Sequence, residues 1–114
     1  MRLSIALLLA STALANATTG EDCTASVYNT REAWGAKTAS GIPLRDSVPS
    51  MAHRTHVLGG WMRVTNKKTG KTVVLKVIDR GPYRANRCAD LSEAAAKELG
   101  IDGLGQVLIE PWRK

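Results

Sequence analysis

The sequence predicts a small, mainly β barrel with one short helix. Short β-prone segments lie at Thr24–Tyr28, Trp61–Thr65, Thr72–Ile78 and Gln106–Glu110, with turn-forming residues between them. A single helical segment precedes the last of these strands. Several short strands and one helix in a chain of 114 residues are typical of a small barrel.

The clearest local signal is a hairpin formed by Trp61–Thr65 and Thr72–Ile78. The polar turn between them contains Gly70, which can adopt a positive φ angle. Both faces of the second strand are largely apolar, so we expect it to be a central strand. The segment Asp79–Pro82 then ends this strand sharply.

The helix is predicted over Ala94–Leu99. Either Asp90 or Ser92 can cap its first turn, Glu93 lies in that turn, and Gly100 supplies a left-handed stop.

Turn formers dominate two other parts of the chain. Those between Asn29 and Pro49 predict loops with brief strands, and Pro111 is expected to end the last strand.

The first 17 residues have the pattern of a cleavable signal peptide. Arg2 is followed by an apolar run over Leu3–Leu9 and by small residues that end at Ala17. The run is far shorter than the roughly 20 apolar residues of a membrane-spanning helix. Cys23 lacks the small apolar lead-in of a lipid-modified cysteine. We therefore expect one domain, residues 18–114, that is periplasmic or secreted, without a lipid anchor or stable membrane insertion, and monomeric.

The net charge and the cysteines fit an exported protein. A formal net charge of +6 suggests polyanionic partners, and outside the cytoplasm these are wall polymers, lipid head groups or acidic sugars, with no nucleic acid expected. Cys23 and Cys88 are most simply used in one internal disulfide, while two free thiols or an intermolecular bridge are the alternatives. The two cysteines and two histidines have no zinc-site spacing, and we expect no metal and no cofactor.

Three kinds of residue are candidates for chemistry. Asp79, between a buried strand and a Gly-Pro turn, would be partly desolvated and could carry a proton, or could instead bond turn amides or pair with Arg80. His53 or His56 could donate a hydrogen bond to a substrate or a carboxylate, or be an ordinary satisfied polar residue. Trp34, in a polar stretch, is the best candidate for an exposed aromatic platform that stacks on a sugar ring.

Six segments taken together resemble the double-psi β-barrel domain of the rare lipoprotein A family. Each is short, but they occur in the family's order and spacing from about Ala25 to Glu110. The Asp-Arg-Gly-Pro turn combined with the later Asp-Leu-Ser helix start is specific. The segments are Ala25–Tyr28, Lys37–Gly41, Ala52–Thr55, Arg63–Asn66, Asp79–Tyr83 and Asp90–Ala96.

The resemblance implies a six-stranded double-psi barrel with one short helix, and a lytic transglycosylase that cuts peptidoglycan glycan strands. Members prefer strands without stem peptides and leave 1,6-anhydromuramic ends. The family's catalytic aspartate falls on Asp79, as acid and then base, and its histidine falls on His53, as a substrate-polarising or carboxylate-supporting group. We expect Trp34, Arg80 and Tyr83 to contact the glycan.

The sequence departs from the family pattern at two positions. Ile42 replaces a glutamate that usually follows the glycine matched by Gly41, and Ile78 replaces a polar residue that often precedes the aspartate. An isoleucine cannot transfer a proton, and the nearest acid, Asp46, lies four residues further on. Two other readings therefore stand beside the enzyme: a non-catalytic glycan-binding barrel, and a secreted protein-binding barrel such as a protease inhibitor.

Overall fold

The computed structural model describes residues 20–28 and 37–113, which form six strands and one helix. In chain order these are β1 Glu21–Val27, β2 Ser50–Ala52, β3 Trp61–Asn66, β4 Thr72–Asp79, β5 Arg87–Leu91, α1 Glu93–Leu99 and β6 Leu104–Trp112.

The six strands close into a barrel in the order β1-β5-β2-β4-β3-β6. The pairs β1–β5 and β2–β4 are parallel, and the other four pairs are antiparallel. Closure gives every strand two neighbours, so the backbone groups of the strands bond within the barrel. The predicted mainly β barrel with one short helix is confirmed.

The hairpin and its central strand are as predicted. β3 and β4 pair antiparallel, and Gly70 in their turn has φ +81°. β4 lies between β2 and β3, and Leu75 and Val77 on its inward face are completely buried. The barrel interior is filled mainly by aliphatic side chains from all six strands and α1, among them Ala25, Met51, Val64, Leu75, Val77, Leu91, Leu99, Val107 and Ile109.

Helix α1 begins and ends at the residues that its sequence indicates. The Ser92 hydroxyl accepts a hydrogen bond from the amide of Ala95, and Gly100 ends the helix in the left-handed conformation with φ +73°. Of the two candidate caps, Ser92 is therefore the one used, because Asp90 lies within β5.

Some strand boundaries differ from the predicted ones. Pro111 does not end the last strand, because β6 continues to Trp112. Beyond Ile109, β6 pairs only with β3 and has no strand on its other side. Proline, which has no amide hydrogen, is tolerated at such a position because no neighbouring strand there requires a hydrogen bond from it. In the segment between Asn29 and Pro49, residues 37–49 form turns and an isolated bridge between Lys37 and Pro43, and residues 29–36 lie outside the described part.

A disulfide joins Cys23 in β1 to Cys88 in β5, with their Cα atoms 5.8 Å apart. It is the internal pairing that the sequence favours over free thiols. The signal peptide predicted over residues 1–17 lies outside the described residues. Within the described part of the chain, no helix is both long enough and apolar enough to cross a membrane.

Candidate active site

The Asp79 carboxylate lies where β4 ends, and both of its oxygens accept hydrogen bonds. The Tyr28 hydroxyl donates to Oδ2 at 2.8 Å, and the amide of Ala39 donates to Oδ1 at 2.9 Å. The side chain is half-buried. Two donors from separate segments hold the carboxylate in place, and the side chain remains partly exposed to solvent.

Hydrogen bonds within the turn that contains Ala39 hold its amide in position to bind Asp79. The Ser40 amide donates to the carbonyl of Ile78, which ties the turn to the end of β4. The Thr38 hydroxyl donates to the carbonyl of Ile42 at 2.6 Å, and Gly41 between them has φ +87°, a conformation that favours glycine.

Tyr28 is the site residue that the sequence analysis did not single out for chemistry. Burial raises its pKa above the ordinary value of 10, and the hydrogen bond and charge of Asp79 raise it further, followed by the charge of Asp90. The phenol therefore stays protonated at neutral pH and remains a donor to Asp79. Asp90 is itself hydrogen-bonded by the Ser26 hydroxyl. The only sequence signal for Tyr28 is its position at the end of the segment Ala25–Tyr28.

His53 lies beside Asp79 through its backbone. Its amide donates to the Asp79 carbonyl at 3.1 Å, but its imidazole faces Glu21, with Nε2 3.7 Å from Oε1. Nδ1 accepts the amide hydrogens of Thr55 and His56, at 3.2 and 3.0 Å. The imidazole therefore orders the loop that follows β2 and does not contact the Asp79 carboxylate.

The guanidinium of Arg80 also holds this loop. Nη1 donates to the carbonyls of His53 and His56, at 3.2 and 2.6 Å, so Arg80 is not paired with Asp79.

Tyr83 is 76% exposed beyond the cis peptide bond Gly81–Pro82. Trp34 lies outside the described residues.

Ile42 lines an apolar groove next to this site, together with Val48 and Ile78. It is 43% exposed. Asp46 does not line that groove, and its carbonyl accepts the amide hydrogen of Ala94 in the first turn of α1.

Among residues 20–28 and 37–113, no cluster of three or more His, Cys, Asp or Glu side chains is arranged to hold a metal ion.

Removing the Tyr28 hydroxyl is expected to slow a reaction that depends on the Asp79 carboxyl group by about 10- to 100-fold, the range for losing one hydrogen bond to a charged group. Tyr28→Phe keeps the ring and removes only the donor to Asp79 Oδ2. The loss is measured as the rate of soluble product release. In an Asp79→Asn background the same change should have little further effect, because the two side chains act as one unit. An equal loss in both backgrounds would contradict a role through Asp79.

The stability of the fold is expected to fall as His53 is protonated. Burial lowers the pKa of His53 below its ordinary value of 6.5, although Glu21 opposes this shift and His56 and Arg54 support it. The folded chain therefore holds the proton less tightly than the unfolded chain. The stabilising effect of neutral His53 is fully present above about pH 6.5 and is lost as the pH falls toward the folded pKa.

Urea unfolding between pH 7.5 and pH 5 tests this expectation. His53→Gln should flatten the pH dependence in this window, because the titrating acceptor at Nδ1 is gone. His56→Gln serves as the matched control and should keep most of the wild-type slope, because His56 contributes less than burial to the lowered pKa of His53. If the two variants had the same slope, His53 would not be the titrating group.

Three comparisons with known proteins bear on this geometry. A family model described as lytic transglycolase matches residues 21–110. The endolytic peptidoglycan transglycosylase RlpA of Neisseria meningitidis serogroup A is 42% identical over 78 residues, which are 67% of this chain and 33% of that protein. The probable endolytic peptidoglycan transglycosylase RlpA of Aquifex aeolicus is 49% identical over 67 residues, 59% of this chain and 30% of that protein. The chain thus spans about a third of the length of these curated relatives.

Two solved structures share the fold at low sequence identity. A Streptomyces papain inhibitor aligns with a TM-score of 0.63 at 18% identity, over 84% of this chain and 96% of the inhibitor. An expansin from Clavibacter michiganensis aligns with a TM-score of 0.63 at 22% identity, over 83% of this chain and 51% of the expansin. At these identities the likeness establishes the barrel alone.

The family model covers all six strands apart from the last two residues of β6, and the relatives carry the same domain. The closed barrel, with an aspartate held at the end of its central strand, agrees with this assignment. The chain belongs to the lytic transglycolase family and is an RlpA-like double-psi β-barrel.

Proposed function

We propose that this protein is a peptidoglycan lytic transglycosylase in which Asp79 is the general acid and then the general base. The observation that carries the proposal is the Asp79 carboxylate held by hydrogen bonds from Tyr28 and Ala39. The resemblance stated from the sequence assigns the family's aspartate to this residue. The names of the RlpA relatives support peptidoglycan as the substrate. The signal peptide predicted over residues 1–17 supports a periplasmic or secreted location.

The hydrogen bonds at Asp79 suggest which oxygen carries the proton. The Ala39 amide can only donate, so Oδ1 remains an acceptor. A phenol hydroxyl can both donate and accept, so Tyr28 can satisfy Oδ2 in either protonation state. Oδ2 is therefore the oxygen suited to gain and lose a proton.

The reaction needs one carboxyl group and no water. Protonated Asp79 gives its proton to the glycosidic oxygen as the bond from that oxygen to the anomeric carbon breaks. The 6-hydroxyl of the same muramic acid bonds to the anomeric carbon, and its proton passes to the Asp79 carboxylate. The products are a strand with a free hydroxyl and a strand ending in a 1,6-anhydro ring, and Asp79 is protonated again.

The other candidate residues take supporting roles in this proposal. His53 is a positioning residue, because its Nδ1 orders the loop whose carbonyls bind Arg80. Tyr83 is exposed four residues after Asp79 and is available to the glycan, and Trp34 remains a candidate contact from the sequence alone.

A non-catalytic glycan-binding barrel is the second candidate, and Ile42 favours it. The family's glutamate is replaced there by a side chain that lines an apolar groove. The papain inhibitor aligns at 18% identity, so it gives no comparable support to a protease-inhibitor function.

Product analysis separates the two candidates. The protein is incubated with purified intact and amidase-stripped peptidoglycan, and the soluble products are identified by mass spectrometry beside a heat-inactivated control. Anhydromuramic products formed only by the active sample are the expected result. Retention on peptidoglycan without such products would select the binding barrel, and no retention at low salt would contradict both.

A further inference from the structure

Two tryptophans lie side by side on the outer face of the barrel. They belong to a row of cross-strand partners formed by Ser50 of β2, Lys76 of β4, Trp61 of β3 and Trp112 of β6. The residues next to them in the strands, such as Val77 and Met62, fill the core. Because successive side chains of a strand point to opposite faces, the row lies on the outside of the sheet.

Each of these tryptophans has a cation beside its ring. Lys76 Nζ lies 5.3 Å from the centre of the Trp61 ring, and the guanidinium carbon of Arg63 lies 4.9 Å from the centre of the Trp112 ring. Arg63 also forms an ion pair with Glu110 at 2.7 Å. The face therefore combines aromatic rings with positive charges, a combination that suits a boundary between an apolar and an aqueous phase.

An apolar groove of about 310 Å³ adjoins Trp61 and Lys76 on the same face. Ile42 and Val48 line it, and Val48 is 50% exposed. Trp112 is 41% exposed at the other end of the row. Exposed apolar side chains that are gathered in this way mark an interaction surface more often than scattered ones do.

The charged residues that line the groove are all cationic. They are Arg45 and Lys76, and no acidic residue lines the groove. Neither cation forms an ion pair with a carboxylate of the described chain. The partner that complements this face is therefore both negatively charged and apolar.

The side chains of the groove suit a lipid surface better than a sugar. Sites that orient a polar ligand do so with a few well-placed hydrogen-bonding groups. The only neutral side chain of that kind in the groove is the Ser50 hydroxyl, and Ser50 is buried. Tryptophan, aliphatic side chains and cations on one face are instead typical of proteins that lie in the interface of an anionic membrane.

We propose that this face docks the protein reversibly on the surface of an anionic phospholipid bilayer. The docking face consists of Ile42, Arg45, Val48, Trp61, Lys76 and Trp112. Its apolar side chains enter the headgroup region and its cations bind lipid phosphates, without any segment crossing the bilayer.

The docking face does not include the proposed catalytic carboxylate. Asp79 does not line the groove, and it follows Ile78 in β4, so the two side chains point to opposite faces of the strand. The inference goes beyond the proposed function and does not depend on it, because it uses none of the groups that bind Asp79.

Co-sedimentation with vesicles tests the proposal. The protein should bind vesicles of phosphatidylglycerol and phosphatidylethanolamine at low salt, and should bind pure phosphatidylcholine vesicles only weakly. Arg45→Gln/Lys76→Gln should weaken binding to the anionic vesicles about 30-fold, the effect of losing two cations at such a surface. Val48→Ser/Trp112→Ser should weaken it about tenfold, because two half-exposed apolar side chains are no longer buried in lipid.

A matched variant controls for net charge. Lys68→Gln/Lys97→Gln removes two exposed cations outside the docking face and should bind anionic vesicles nearly as tightly as the wild type. Each variant is checked by circular dichroism and thermal unfolding, so that a misfolded sample is not counted.

Methyl NMR with bicelles locates the contact surface. Bicelles that contain phosphatidylglycerol and a gadolinium-chelate lipid should broaden the methyl signals of Ile42 and Val48 more than the same bicelles with a diamagnetic chelate do. Leu104 is the internal control, because it is exposed at the opposite end of β6 from Trp112, about 27 Å away at the rise of a strand. Its methyl signals should change little.

Several outcomes would overturn the inference. Failure of the wild type to bind anionic vesicles, an equal loss of binding in the two double-glutamine variants, or equal broadening of Leu104 and Val48 would each do so. If Arg45→Gln/Lys76→Gln lost binding to peptidoglycan while the wild type did not bind vesicles, the face would be a glycan site. Dimerisation that Val48→Ser/Trp112→Ser abolishes, without vesicle binding, would assign the face to a second copy of the chain. Each of these results leaves the test of anhydromuramic products independent.

Discussion

Replacing Asp79 with asparagine is expected to lower the rate of anhydromuramic product formation by at least about 100-fold, the lower range for losing a general acid and base. Asparagine has the same shape and can still accept the Ala39 hydrogen bond through its amide oxygen. It cannot deliver a proton to the glycosidic oxygen or take one from the 6-hydroxyl. The rate is measured by mass spectrometry of the soluble products.

A matched control separates this effect from a change in surface charge. Asp102→Asn makes the same chemical change at an exposed position after α1, and its activity should equal that of the wild type. Retained binding of Asp79→Asn to peptidoglycan would place the loss in the chemical step. An Asp79→Asn variant with near wild-type rates would eliminate Asp79 as the acid and base.

The sequence predicted the secondary-structure elements whose ends are set by neighbouring residues in the chain, namely the β3–β4 hairpin and α1. The β3–β4 hairpin follows from strand-forming residues around a polar turn with Gly70, and α1 follows from a cap, good helix formers and Gly100. The short strands β2 and β5 carry little signal of their own. Their pairing is set by neighbours distant in the chain, such as Met51 opposite Leu91, so the barrel context defines them.

The site was predictable where one residue sits at a sharp boundary between elements. Asp79 stands between an apolar strand and a Gly-Pro turn, and this boundary marked it in the sequence. Its partner Tyr28 lies 51 residues away and meets it only through the barrel closure. A pairing of that kind depends on topology and leaves no periodic pattern in the sequence.

The orientation of His53 shows the same limit. Its position beside Asp79 follows from the parallel pairing of β2 with β4, which places Ala52 opposite Asp79. The orientation of its ring is set by local hydrogen bonds, because Nδ1 accepts the amide hydrogens of Thr55 and His56. Sequence motifs identify the residue but carry no information on which contact its imidazole makes.

Loss of the Cys23–Cys88 disulfide is expected to lower the free energy of unfolding by about 4 kcal/mol, the chain-entropy effect of releasing a loop of this length. The two cysteines are 65 residues apart, so the bond restricts more than half of the described chain once it is unfolded. A change of this size is a large fraction of the stability of a small domain. Urea unfolding of Cys23→Ala/Cys88→Ala beside the wild type measures it.

Reduction of the wild type supplies the control, because it removes the same bond without changing a side chain's carbon skeleton. Reduced wild type should lose nearly as much stability as the double-alanine variant, and reductant should not affect that variant. The disulfide joins β1, which leads into Tyr28, to β5, which contains Asp90, so activity should fall in parallel with the folded fraction. Unchanged stability after reduction would mean that the unfolded chain gains little entropy when the bond between the two cysteines is broken.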